Sequence, residues 1–174
     1  MYNKNLMLGN TLSSVANASL TATMSVAVFL VLLALAWRTS KGMIISFVLG
    51  MIISGAVFQT LLNTTFYSGF ILKQPQSFFI NTGIYSVLVL FITFSMRRFI
   101  HESFAGSFWL KMLQMITMAV IAEGILFVHL YKILDIGKQY SFSPFFTMLF
   151  GSEYSFLSWF AVLLVGLLII RNNK

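Results

Sequence analysis

Apolar residues in this chain gather into five long runs separated by short polar stretches. A helix crossing the hydrocarbon core of a bilayer needs roughly 20 mainly apolar residues. Residues 16–37, 43–62, 77–96, 108–131 and 155–170 meet or approach that length. The pattern predicts an all-α fold: a polytopic transmembrane helical bundle of about five spanning helices, forming one integral membrane domain over 1–174. The fifth run is short but the most apolar, "SWFAVLLVGLLII", and it is followed by Arg171 and Lys174. Arg38 and Lys41 close the first span and open the second, which predicts a tight helical hairpin.

Three connections carry their own pattern. "NTTFYSGFILKQPQ" (63–76) is polar but holds aromatic and aliphatic residues suited to the boundary between water and lipid. "RRFIHESFAGS" (97–107) mixes charge with Phe99, Ile100 and Phe104, and reads as a short helix on the inner membrane face. The longest, 132–154, contains Pro144, expected to break any helix, and an aromatic cluster of Phe142, Phe145, Phe146 and Phe150. It is expected to rest on the membrane or cap the bundle. Lys132, Asp135 and Lys138, three residues apart, suggest a solvated helical stripe.

Composition agrees with the runs. Of 174 residues 59% are hydrophobic and 9% charged, whereas a soluble domain carries about 25% charged residues. The N-terminus has one basic residue and no clear cleavage site before a long apolar run, so the first helix reads as an uncleaved span.

The net charge of +7 is spread over the loops and reads as a topology signal, with no nucleic-acid patch. With five spans, one side holds the seven basic residues Arg38, Lys41, Arg97, Arg98, Lys111, Arg171 and Lys174. The other holds the four residues Lys4, Lys73, Lys132 and Lys138. The excess of positive charge marks the inside, which predicts an N-out, C-in chain. A bacterial inner membrane or an organellar membrane both suit it. The sequons at Asn17 and Asn63 would lie outside.

Candidate chemistry is limited by a short supply of reactive groups. There is no cysteine, and the acids and histidines are His101, His129, Glu102, Glu123, Asp135 and Glu153. No nucleophile sits beside a base and no metal-ligand pair shares a helix face, so catalysis, a metal and a resident cofactor are not expected; lipids are the expected ligands. His129 reads as an interfacial histidine hydrogen-bonded near a helix end. Ser46, Gly50 and Ser54 form a stripe of small residues on the second helix, suited to close packing in the bundle or to dimerisation. Arg97 and Arg98 are placed to meet lipid headgroups or a partner.

Glu123 is the informative residue. It lies about 5 Å to the outer side of the midpoint of its run, from a rise of about 1.5 Å per residue, where a charge costs about 2.5–3.5 kcal/mol on insertion scales. No Lys or Arg is placed to pair with it. The neutral acid is the cheaper form there, and it needs hydrogen-bond partners. At similar depth the other spans offer Thr23, Gln59, Asn81, Thr82 and Tyr85, which suggests an intramembrane polar layer around Glu123.

Two functions follow as expectations. One is a non-catalytic structural or accessory subunit of a larger or homo-oligomeric membrane complex, with other membrane subunits or copies of itself as partners. The other is a small transporter or channel component with its site at Glu123.

Overall fold

A computed structural model describes residues 4–70, 77–100, 104 and 106–171, with helices and connections throughout. The helices are α1 (Lys4–Arg38), α2 (Lys41–Leu62), α3 (Thr65–Phe70), α4 (Ser77–Arg97), α5 (Phe108–Lys132), α6 (Ile136–Gln139), α7 (Pro144–Gly151) and α8 (Ser155–Arg171). Four segments are long and apolar enough to cross a membrane: Val15–Arg38 of α1, and α2, α4 and α5. Helices α7 and α8 together make a fifth candidate, broken by a bend of 72°. The protein is a helical membrane bundle of four to five spans.

Helix α5 is the centre. It packs against α1, α2, α7 and α8, while α4 is held mainly by α2. A helix buried around most of its circumference cannot keep a polar face. Accordingly Met118, Ala119, Ile121, Ala122, Gly124, Ile125, Phe127, Val128 and His129 are all buried. Small residues set how near the neighbours come. A side chain at Gly124 would collide with the Trp159 ring of α8, and one at Gly166 with Ile121. In lipid, where apolar surface has no drive to leave its surroundings, such close contact is what holds helices together.

The α2–α4 contact is built on the small-residue stripe. Ser46, Gly50 and Ser54 are buried, and Gly50 lies directly against Thr93 of α4. Tyr85 of α4 donates to the Met51 carbonyl at 3.4 Å, and its ring meets Phe58 edge-on. The stripe therefore joins two helices of one chain.

Several connections differ from their expectations. Helix α1 begins at Lys4, well upstream of the apolar run, because no proline interrupts the polar segment before it. Pro144 starts a helix where a break was expected. It occupies the first turn of α7, where its missing N–H is no loss, and Ser143 caps that turn by accepting from Phe146 N at 3.3 Å. Lys132, Asp135 and Lys138 do not share a helix: α5 ends at Lys132, and Asp135 takes a left-handed conformation (φ 53°). At the end of α4, residues 98–100 form a turn where an inner-face helix was expected; His101, Glu102, Ser103 and Ala105 lie outside the described residues, as does Lys73 of the preceding connection.

The aromatic cluster is a cap on α5. Phe146 and Phe150 of α7 contact Phe127 at ring distances of 4.8 and 5.2 Å, and Phe150 stacks on Trp159 of α8 at 5.5 Å. Phe145, on the other face of α7, is 70% exposed. Ser143 N also donates to Thr21 Oγ1 of α1 at 3.3 Å, so the cap is tied to the first helix as well.

Candidate functional site

Glu123 lies on the face of α5 toward α1, partly buried. Its Oε1 accepts a hydrogen bond of 2.5 Å from Ser25 Oγ. Ser25 follows Thr21 by one helical turn and precedes Val28, Leu32 and Ala36, the residues through which α1 meets the rest of the bundle. A carboxylate accepts in this way, and so does the carbonyl oxygen of a neutral acid. The bond joins two spans across the interior.

The polar layer expected around Glu123 is not assembled, because each of its five members turns elsewhere. Thr23 is exposed and donates to Ser19 O in its own helix. Thr82 donates to Phe78 O, likewise within its helix. Asn81 Oδ1 accepts from Tyr67 Oη at 2.5 Å, fastening α3 to the start of α4. Burial pushes the Tyr67 phenol above its ordinary range, so this hydroxyl keeps its proton and remains a donor. Tyr85 is committed to α2, and Gln59 lines a different cavity. Only α1 supplies the partner, and it does so through Ser25.

A second group of polar residues converges where the pattern gave little sign of it. A cavity of about 430 Å³ lies at the C-terminal end of α5, bounded by α2 and by the start of α8. Its wall includes Gln59 and Gly55 of α2, His129 and Lys132 of α5, and Glu153 just before α8. His129 is 2% exposed by surface area, buried rather than interfacial. Its Nδ1 bonds to the Ile125 carbonyl at 2.8 Å. A carbonyl only accepts, so Nδ1 is the donor; in the neutral ring Nε2 is then an acceptor. The ring stacks on Tyr85 at 6.1 Å and meets Phe156 edge-on at 5.7 Å. A side chain at Gly55 would come within 2.7 Å of Nε2, so glycine there lets α2 pass the imidazole.

This gathering was hidden because Gln59, His129 and Glu153 come from three separate segments at unrelated spacings. The one available signal was a histidine one turn before the end of a span that is otherwise apolar. Among the described residues, no three His, Asp or Glu side chains are arranged to hold a metal ion.

At the opposite end of the bundle Arg97 and Arg98 are both exposed. Arg98 borders a shallow depression with Phe91, Phe94, Ser95 and Phe99, an arginine set above aromatic residues at the foot of a span. No protein family, curated protein or solved structure matches this chain.

Proposed function

We propose that the chain is a non-catalytic, structural or accessory component of a larger or homo-oligomeric membrane assembly, in a bacterial inner membrane or an organellar membrane. The observation that carries the non-catalytic, structural part of this reading is the Ser25–Glu123 hydrogen bond. The one acid deep in a span is committed to joining α1 and α5. An intramembrane carboxyl is by default a functional group, and here the function it supports is holding helices in register. Two further polar contacts also join separate helices: Tyr85 Oη to the Met51 carbonyl between α4 and α2, and Ser143 N to Thr21 Oγ1 between the cap and α1.

The outer helices leave apolar faces that lipid or neighbouring helices can cover. Few residues in the apolar windows of α1 and α4 are buried, and Val31, Phe79, Val87 and Phe91 are exposed. Aromatic and aliphatic faces of this kind suit packing against neighbouring helices within the bilayer.

The test is extraction from the native membrane in mild detergent, followed by sizing and mass spectrometry of what travels with the chain. A particle of fixed stoichiometry, with other proteins or with further copies of this chain, is expected. A lone chain that retains its fold would refute the proposal and favour the reading as a small transporter.

A further inference from the structure

The cavity beside His129 adjoins an apolar seam between two helices. Helices α2 and α8 both pack on α5 without forming a substantial interface with one another, which leaves a furrow between them floored by α5. Its upper part carries the polar residues Gln59, His129, Lys132 and Glu153. Below, Ile52, Ile125, Trp159 and Phe160 pack together and close the furrow. Ile125 precedes Lys132 by seven residues, which places the apolar part about 10 Å deeper in the membrane at about 1.5 Å per residue. An open polar cavity at the level of lipid headgroups thus sits above a closed apolar seam at the level of their acyl chains, with Ile52 and Phe156 bordering both.

The polar part is chemically specific. Lys132 and Glu153 are both exposed and, among the described residues, neither side chain has a hydrogen-bond or ion-pair partner. Opposite charges that line one cavity without pairing suit a ligand carrying both signs. Lys132 is a point charge suited to phosphate. Glu153, the free Nε2 of His129 and the Gln59 carbonyl are acceptors, and together they suit a group with several N–H donors. A primary ammonium has three such donors and a quaternary ammonium none.

We propose that the α2–α8 furrow binds an aminophospholipid from the surrounding membrane. Its phosphate lies at Lys132, its primary ammonium at Glu153 with His129 and Gln59, and an acyl chain lies across the lipid-facing rim at Ile52 and Phe156. The cavity of about 430 Å³ falls within the range of about 300–1,000 Å³ typical of small-molecule sites. The inference is independent of the proposed assembly, since the furrow is formed within a single chain.

The intact chain in detergent is offered phosphatidylethanolamine, phosphatidylcholine and phosphatidylglycerol in equal amounts, and bound lipid is counted by native mass spectrometry. One phosphatidylethanolamine per chain is expected, preferred over both competitors. Lys132→Ala should weaken its retention about tenfold, the loss of one charge-assisted contact. Glu153→Gln, nearly isosteric and exposed, should abolish the preference over phosphatidylglycerol while leaving helix content and elution unchanged. Equal retention of the three lipids by the wild type overturns the proposal, as does a preference for phosphatidylglycerol, or retention that neither variant alters. An absence of bound lipid overturns it as well, whether or not a protein segment occupies the furrow.

Discussion

Replacing Ser25 by alanine removes the only donor that α1 presents to Glu123, and the consequence is calculable. Hydrogen bonds between spans average about 0.6 kcal/mol and reach about 1.7 kcal/mol. At 2.5 Å to a carboxyl oxygen, this one is short, which puts the expected loss near the upper value, about 1.5 kcal/mol. Ser25→Ala should therefore destabilise the chain by about that amount against a denaturing detergent titrated into lipid bicelles.

Glu123→Ala tests the other side of the same bond. The Ser25 hydroxyl it leaves behind can turn back to a carbonyl of its own helix, so little extra cost accrues. The double mutant should then be scarcely worse than either single one, with a coupling energy of about 1–1.5 kcal/mol. Thr23→Ala, combined with Glu123→Ala, should be additive to within about 0.3–0.5 kcal/mol. A Ser25–Glu123 coupling inside that same margin would refute the reasoning, because it would mean that the carboxyl is not what joins α1 to α5.

Other substitutions probe the remaining contacts. Gly50→Ala places a methyl against Thr93 and Gly124→Ala against the Trp159 ring; each should cost about 1–3 kcal/mol in the same titration. Gly83→Ala meets open space on α4 and should gain up to about 1 kcal/mol. Phe146→Ala opens a hole beside Phe127 and should cost about 3–5 kcal/mol; Phe145→Ala, on the exposed face of α7, should stay within about 0.5 kcal/mol of the wild type. Orientation has its own test, since the chain has no cysteine. An impermeant maleimide applied from outside should label Tyr140→Cys and spare Ser40→Cys, and the reverse result would invert the N-out, C-in assignment.

The spans were legible in the sequence because lipid demands long apolar runs, and α2, α4 and α5 lie within a few residues of where those runs place them. What escaped was rotation about the helix axes. Matching residues by depth put Thr23 beside Glu123, yet successive side chains turn by about 100°, so Ser25, two residues on, points to nearly the opposite side. Ser25 is the one that meets α5. Depth matching similarly drew in Asn81, Thr82 and Tyr85 without indicating that Tyr67, Phe78 and Met51 would engage them first. Pro144 differs from its expectation for another reason. The residue stops a helix from within but suits its first turn, and the choice depends on Ser143 and on the Phe127 surface that α7 covers. His129 looked interfacial because it lies one turn from a helix end. Its burial comes from Gly55 of α2, Tyr85 of α4 and Phe156 of α8 packing around the ring, a tertiary event without local trace.

The central claim, that Glu123 binds helices together and does not line a pathway, is tested most directly by accessibility. Because the natural chain is free of cysteine, Glu123→Cys introduces a single thiol at the position in question. With the protein in sealed vesicles, a small impermeant methanethiosulfonate reagent applied to either side should leave that thiol unmodified, while Tyr140→Cys in the same preparation reacts from its own side. Modification of Glu123→Cys at a rate comparable to Tyr140→Cys would show a water-filled route to the centre of the bundle and contradict the account.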